Sequence, residues 1–168
     1  MSTFFSHNSM TPLEVSVGPA AASIEKQYPA TEAQLEIWLS SLQSPAANCS
    51  YNEISSLILK GSLNAEALQQ ALQHVAIRNA GLRTTFSSDG QTAQVMATAN
   101  HEFRFIDLSE KSQSDCATAQ EALIHEEGHK PFDLENGPLF RCILQKISNT
   151  HHKPVSYTHL TLPTIYSV

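Results

Sequence analysis

The stretch KPFDLENGPLFRCILQKI, from Lys130 to Ile147, decides the fold of this chain. Pro131 lacks a backbone N–H, so it ends the polar-faced helix predicted from Ser114 to about His129. Gly137-Pro138 closes a loop, and the apolar run from Leu139 to Ile147 then predicts a strand, the last convincing one in the chain. A helix that returns directly into an apolar strand indicates helices packed against a sheet.

Upstream of this stretch, helices and short strands follow one another without strict alternation. A Thr-x-x-Gln capping box at Thr31 and Gln34 begins a helix that runs to about Leu42. Further predicted elements are a strand at Asn52 to Lys60, a helix capped by Asn64 and ending near Asn79, a hairpin turning at Asp89-Gly90 between Leu82–Ser87 and Gln91–Ala97, and a strand at Phe103 to Ile106. This order predicts an α+β fold with helices on a mixed, largely antiparallel sheet.

Size and composition favour one globular domain. The chain has 168 residues, is 41% hydrophobic and carries a net charge of -6 without basic runs, so nucleic acid is not an expected partner.

Residues 1–27 show no sustained period and are predicted to be a flexible leader. The chain has no apolar stretch of membrane-spanning length and its start lacks an export signal, so no membrane contact and a cytoplasmic location are expected. Three widely spaced cysteines, Cys49, Cys116 and Cys142, are expected to be reduced structural thiols.

Four stretches, taken in order, resemble the start of the condensation domain of nonribosomal peptide synthetases. TEAQLEIWL (Thr31 to Leu39) resembles the opening motif, with Glu36 where the family commonly has Arg. Ser50 to Leu72 resembles the first strand and second helix. RNAGLRTTF (Arg78 to Phe86) resembles Arg-His-Glu-x-Leu-Arg-Thr-x-Phe, and KPFDLENGPLFR resembles the Pro-Phe-Asp-Leu...Gly-Pro-Leu segment. The specificity of the resemblance lies in the order and spacing of these motifs between Tyr28 and Ile147.

The resemblance implies part of a fold similar to chloramphenicol acetyltransferase, in which two lobes form a V around a tunnel. Residues 28–153 would supply most of one lobe. The parent would join an amino group on one phosphopantetheine-tethered carrier to an acyl thioester on another, with carrier domains as partners and no cofactor or metal bound by the domain itself; the sequence leaves the oligomeric state open. The residues that match the motifs are expected to be structural; they are Gln34, Trp38, Arg78, Arg83, Phe132 and Asp133.

Three of these residues also admit functional interpretations. Trp38 could stack on a ligand, but its place on the apolar helix face favours the core. Arg83 could bind a carboxylate substrate, whereas the resemblance implies a structural ion pair with the Asp of the catalytic motif. Asp133 could act as an acid or base, but a turn carboxylate is favoured. Asn79 and Ala80, which replace the family's His and Glu, leave some departure in geometry open.

The catalytic motif of the family, His-His-x-x-x-Asp-Gly, is not matched by this sequence. Its second imidazole serves as general base or positions the amine and the intermediate. The resemblance implies a turn and a second apolar strand between the segment GPLFRCILQKI and this motif. The adjacent pair His151-His152 comes before such a strand and lacks the following Asp and Gly, so a solvated turn is predicted there. No catalytic residue is assigned, and this chain is expected to be inactive.

Residues 154–168 are predicted to be a non-native tail. The codons GTC TCT TAT ACA CAT CTG ACG CTG CCG ACG encode Val155 to Thr164, and this nucleotide string resembles a transposase mosaic-end sequencing adapter. The alternative is a genuine short strand, since Tyr157, His159 and Leu162 offer some alternation.

Two other functions remain as alternatives. HEEGH, His125 to His129, matches the zinc-hydrolase pattern His-Glu-x-x-His, although Gly128 and Pro131 weaken the helix and no third ligand is evident. A degenerate lobe could instead serve as a non-catalytic module that docks carrier proteins.

Overall fold

A computed structural model describes residues 23–99 and 101–160. The elements in chain order are β1 (Ile24–Pro29), α1 (Glu32–Ser41), α2 (Pro45–Cys49), β2 (Asn52–Ser56), β3 (Leu59–Lys60), α3 (Ala65–Arg78), β4 (Thr84–Phe86), β5 (Thr92–Met96), β6 (Glu102–Asp107), α4 (Gln113–Gly128), β7 (Phe140–Ser148) and β8 (His151–His159). A 3₁₀ turn at Ala80–Arg83 precedes β4.

These strands form two sheets. The smaller sheet is antiparallel, in the order β1-β5-β4. The larger has the order β2-β8-β7-β6, and β3 also pairs with β8. Within it β6 and β7 are parallel, joined by α4, whereas β8 is antiparallel to β2, β3 and β7. The fold is therefore α+β with a mixed, largely antiparallel sheet, as the sequence predicts.

Local signals account for the starts and turns of several elements. The Thr31 hydroxyl accepts from Gln34 N at 3.2 Å while Thr31 N donates to Gln34 Oε1 at 2.9 Å, which confirms the capping box. Asn64 caps α3 through Ala67 N. Gly90 turns the hairpin with φ +70°, where a Cβ would lie 2.5 Å from the Trp38 ring. Glycine is thus required at position 90 by backbone and by packing.

The main core joins the two sheets to the first helix. Trp38 from α1, Phe86 and Ala93 from the smaller sheet, and Ile143, Val155 and Tyr157 from the larger one belong to one buried cluster. Phe132, Leu134 and Leu139 from the segment before β7 complete the cluster. The sequence that decides the fold therefore sits where both sheets meet.

Three predictions about elements differ from the structure. Strand β1 starts at Ile24, inside the predicted leader; its residues are all exposed, so no apolar alternation signals the strand. The predicted strand Asn52–Lys60 is divided after Ser56, because Leu57 N donates to Pro154 O while proline has no N–H to return. The solvated turn predicted at His151-His152 is wrong for His152, which lies in β8 with 4% exposure. Of residues 154–168, the structure describes 154–160.

Candidate functional site at the end of strand β8

The end of β8 is held by main-chain hydrogen bonds on both sides. His159 N donates to Leu139 O at 3.3 Å, and Leu160 N donates to Tyr51 O at 3.0 Å. The ladder between β8 and β2 reaches the pair Asn52 and His159. The family resemblance places the catalytic motif after a second apolar strand of this kind, so the end of β8 is the candidate site.

The imidazole of His159 lies in a closed pocket. Its exposed fraction is 0%, and its Nε2 is 3.4 Å from Ser41 Oγ at the end of α1. The ring centre is 5.9 Å from that of Tyr51 and 6.1 Å, edge-on, from that of Phe132. Burial lowers the pKa of His159 to about 4, although a hydrogen bond to the main chain of Asn48 opposes the shift. The ring is consequently neutral at physiological pH.

Asn48 ties the short helix α2 to the segment that carries Phe132. Its side-chain nitrogen donates to Phe132 O at 3.0 Å, and its side-chain oxygen accepts from Phe132 N at 2.8 Å. Both groups are buried, so these bonds replace lost contacts with water. The bridge fixes Phe132 against the His159 ring.

Arg141 and Glu127 form a buried ion pair beneath the same phenyl ring. Arg141 lies with its guanidinium carbon 3.8 Å from the centre of the Phe132 ring, and its Nε is 3.7 Å from Glu127 Oε2. Its terminal nitrogen donates to the carbonyls of Glu127 at 3.0 Å and Lys130 at 2.8 Å. Arg104 contacts the other carboxylate oxygen of Glu127. This network anchors the end of α4 to β7.

Asp133 organises the turn between Phe132 and β7. Its carboxylate accepts hydrogen bonds from Glu135 N at 3.0 Å and from Asn136 N and Nδ2, each at 2.9 Å. Partial burial raises the pKa of Asp133, but the hydrogen bonds from Asn136 and Glu135 outweigh it and bring the net pKa below its ordinary value. A carboxylate held in its charged form by a local turn matches the structural interpretation.

The remaining motif residues lie at different places in the lobe. Gln34 completes the capping box, and Trp38 lies in the core, as expected from its helix face. Arg83 contacts Glu25 and the carbonyls of Met96 and Ile77, so its carboxylate partner in the structure belongs to β1. Arg78 is exposed in the last turn of α3. Of the six residues that match the motifs, the structure brings Phe132 against the imidazole at 159.

The HEEGH segment does not assemble a metal centre. The rings of His125 and His129 stack with centres 4.2 Å apart at the end of α4. They line an open cavity of about 760 Å³ together with Cys49 and Glu121. Among residues 23–99 and 101–160, no three His, Cys, Asp or Glu side chains are arranged to hold a metal ion. The described residues thus supply a pair of imidazoles but not the third ligand that a zinc hydrolase needs.

Two residues of β8 fit its central position poorly. Pro154 lies in a strand paired on both sides, where its missing N–H costs a ladder hydrogen bond. The Tyr157 hydroxyl is buried, and within the described part of the chain it has no hydrogen-bond partner. Burial raises the pKa of Tyr157 to about 12. Both residues belong to the predicted non-native tail.

Sequence reasoning missed Ser41, Asn48 and the pair of Arg141 and Glu127. The one available signal was a charged residue, Arg141, inside the apolar run from Leu139 to Ile147. In the described residues, no helix is both long and apolar enough to span a bilayer.

Comparison with known proteins identifies the family. The sequence model of the Condensation domain matches residues 24–161. A chondramide synthase from Chondromyces crocatus is 33% identical over 126 residues, which cover 74% of this chain and 3% of that protein. Tyrocidine synthase 3 from Brevibacillus parabrevis is 35% identical over 136 residues, which cover 79% of this chain and 2% of that synthase. The chain thus spans a small part of these curated relatives.

Solved structures show the same fold. The starter condensation domain of the rhizomide synthetase superposes with a TM-score of 0.73 at 24% identity, covering 84% of this chain and 34% of that one. A four-domain nonribosomal peptide synthetase bound to AMP and glycine superposes with a TM-score of 0.70 at 18% identity, covering 89% of this chain and 11% of that one. With the family model matching most of its length, this chain belongs to the condensation domain family of nonribosomal peptide synthetases.

Proposed function

We propose that the parent of this chain forms amide bonds between acyl and aminoacyl units carried as thioesters on partner carrier proteins. The observation that carries the proposal is the position of β8. It follows β7, which begins directly after the Gly-Pro-Leu segment, by a tight turn, and the main chain at its end is bonded to Tyr51 after α2. The catalytic motif of the family belongs at this point of the fold.

The proposed reaction is aminolysis of a thioester. The nitrogen of the acceptor amine attacks the donor carbonyl carbon, and a C–N bond forms while the C–S bond breaks. The proton lost by the amine passes to an imidazole and then to the departing thiolate of the phosphopantetheine arm. The step is an acyl transfer without a change of oxidation state, so no redox cofactor enters its balance.

This chain by itself lacks the groups for that reaction. Its one adjacent histidine pair, His151-His152, is followed by Ser156 and Tyr157 where the motif has Asp and Gly. Position 160, after the buried His159, is Leu160, which cannot accept a proton. The chain is therefore a catalytically inactive part of the lobe.

The native coding sequence diverges from this one near Pro154. One possible set of codons for residues 155–164 resembles a sequencing adapter, which motivates this proposal, and the poor fit of Pro154 and Tyr157 to a central strand supports it. Sequencing the locus across codon 154 tests it directly. Native genomic DNA that encodes Val155 to Thr164 would contradict it.

Activity assays separate the proposed function from its alternatives. The purified chain and the parent encoded by the completed gene are each mixed with an acyl-loaded donor carrier and an aminoacyl-loaded acceptor carrier. The amide product is measured by mass spectrometry. We expect amide product in the mixture that contains the completed parent and none in the mixture that contains the purified chain. Carrier binding without product would favour the docking module, and stoichiometric zinc whose removal abolishes ester or peptide hydrolysis would favour the zinc hydrolase.

A further inference from the structure

Two exposed imidazoles lie one turn apart at the end of α4. His125 belongs to the last turn of the helix, and His129 is its C-cap residue. Residues four apart on a helix share a face, and here the two rings stack with their centres 4.2 Å apart and their planes inclined by 28°. Two nitrogen atoms bound to one metal ion lie at most about 4 Å apart, since each bond measures about 2.0 to 2.1 Å. The spacing of the rings therefore suits a chelating pair.

The main chain selects the nitrogen atom with which His129 can bind an ion. Nδ1 of His129 lies 2.8 Å from the carbonyl oxygen of His125. A carbonyl oxygen only accepts hydrogen bonds, so Nδ1 carries the proton and Nε2 of the neutral ring keeps its lone pair. Histidines that bind metals commonly donate from the other ring nitrogen in this way, which fixes the ring and raises the basicity of the ligand. The hydrogen bond thus prepares His129 as an Nε2 ligand.

The surroundings of the pair favour a hydrated cation. Both rings line the open cavity of about 760 Å³, which leaves room for the water molecules that an ion carries. Glu121, one turn before His125, lines the same cavity and contributes negative charge. Lys130, which follows His129 directly, has its positive charge paired with Glu102 at 3.1 Å. The C-terminal end of a helix also attracts cations, so the charges around the pair favour binding.

The number and type of ligands select the class of ion. A hydrolytic zinc centre needs three protein ligands, and the part of the chain that the structure describes does not bring three such side chains together. Imidazole nitrogen suits nickel, copper and zinc, and the affinity of nitrogen sites for divalent ions rises from manganese through nickel to copper. Two imidazoles with water on the remaining positions therefore fit nickel and copper better than a hard cation such as magnesium.

We propose that His125 and His129 form a two-ligand site for a late divalent transition-metal ion of the nickel and copper kind, which links the last turn of α4 to its cap. The site lies beyond the proposed function, because neither imidazole belongs to the groups assigned to acyl transfer. Both ligands lie on one helix that precedes the predicted tail, so the site does not depend on residues 154–168.

A calorimetric titration of the untagged 168-residue chain tests the site. Nickel(II) chloride is the probe, because copper(II) can oxidise the thiol of Cys49, which lines the same cavity. One nickel ion should bind per chain. His125→Gln and His129→Gln should each weaken binding roughly ten-fold or more, since the second imidazole of a pair acts at a high effective concentration.

The matched control is His74→Gln in α3. His74 is also exposed on a helix, but the sequence has no histidine one turn before or after it, so nickel affinity should equal that of the wild-type chain. Equal affinities in the wild-type chain, His125→Gln and His129→Gln would overturn the site. An equal loss in all three variants would overturn it as well.

Two further measurements locate the ion. Substoichiometric nickel(II) is paramagnetic and should broaden the ring NMR signals of His125 and His129 before those of His74. Saturating nickel(II) should raise the melting temperature of the wild-type chain more than that of His125→Gln, because an ion that binds the folded state stabilises it. Broadening that begins at the exposed His151, or equal shifts in melting temperature, would overturn the assignment to α4.

Discussion

The guanidinium carbon of Arg141 lies 3.8 Å from the centre of the Phe132 ring, so one phenyl group covers a buried ion pair and contacts the His159 imidazole. The charge of Arg141 is balanced by Glu127, whose exposed fraction is almost nil. The cost of burying this cation is offset by three interactions: its stacking on an aromatic face, its hydrogen bonds to carbonyls and its pairing with a carboxylate. The arrangement makes Arg141 a structural support of the candidate site.

Removing Arg141 should destabilise the lobe strongly. Arg141→Met leaves Glu127 buried with its contact to the half-exposed Arg104 alone, and the free energy of unfolding should fall by about 3 kcal/mol. Urea unfolding followed by circular dichroism measures the change. Lys130→Met removes an exposed pair with Glu102 and should cost no more than about 1 kcal/mol. Similar losses for both variants would contradict the structural role of Arg141.

A side chain at position 90 should disturb the Trp38 contact. Gly90→Ala imposes an unfavourable positive φ and places Cβ 2.5 Å from the indole, so a loss of about 2 to 4 kcal/mol is expected. Gly61→Ala is a control for backbone strain without a clash, because Gly61 has φ +115°, which L-residues adopt less readily than φ +70°, but has no atom within 4 Å of its would-be Cβ. Thermal unfolding and tryptophan fluorescence should show a larger effect at position 90. Equal melting temperatures for the two variants would show that the indole moves away from the new Cβ with no loss of stability.

Removing the Tyr157 hydroxyl should stabilise the chain. The group is buried without a hydrogen-bond partner in residues 23–99 and 101–160, so Tyr157→Phe should raise the free energy of unfolding by about 1 kcal/mol. Tyr28→Phe, on an exposed strand, should change it by less than about 0.5 kcal/mol. A clear loss of stability in Tyr157→Phe, measured in urea, would mean that the hydroxyl has a partner in solution.

Stability should depend on pH through His159. Because the folded pKa of about 4 lies below the ordinary value of 6.5, the unfolded chain binds the proton more readily between these values. The contribution is complete above pH 6.5 and is lost as pH falls toward 4, by at most about 3 kcal/mol at about 1.4 kcal/mol per pH unit. Urea midpoints between pH 4 and pH 7 measure the slope. His159→Gln should flatten it, and an unchanged slope would show that His159 is not the group responsible.

Sequence reasoning succeeded where the signal is local. The capping box at Thr31 and the turn at Gly90 depend on side-chain and backbone chemistry within a few residues, and both appear as predicted. It failed where pairing is distant. Strand β1 has no buried face to produce alternation. The segment of β8 was predicted to be a solvated turn at His151-His152 followed by a non-native tail, with a short strand as the alternative, and its Pro154 is unusual in a central strand.

The candidate site was harder to predict for the same reason. Phe132 could be named from its motif, but its neighbours could not. Asn48 meets Phe132 across 84 residues, and Ser41 meets His159 across 118, so neither contact leaves a periodic trace in the sequence. Buried hydrogen bonds of this kind follow from tertiary packing, which a single sequence does not display.

The place of β8 between β2 and β7 has a consequence for synthesis on the ribosome. The larger sheet cannot join its two sides until the segment 151–159, made after all its neighbours, has left the exit tunnel. Until then β2 and β7 each present an open hydrogen-bonding edge to other nascent chains. A polypeptide released before residue 151 should consequently aggregate or require a chaperone, however good the sequence that precedes it.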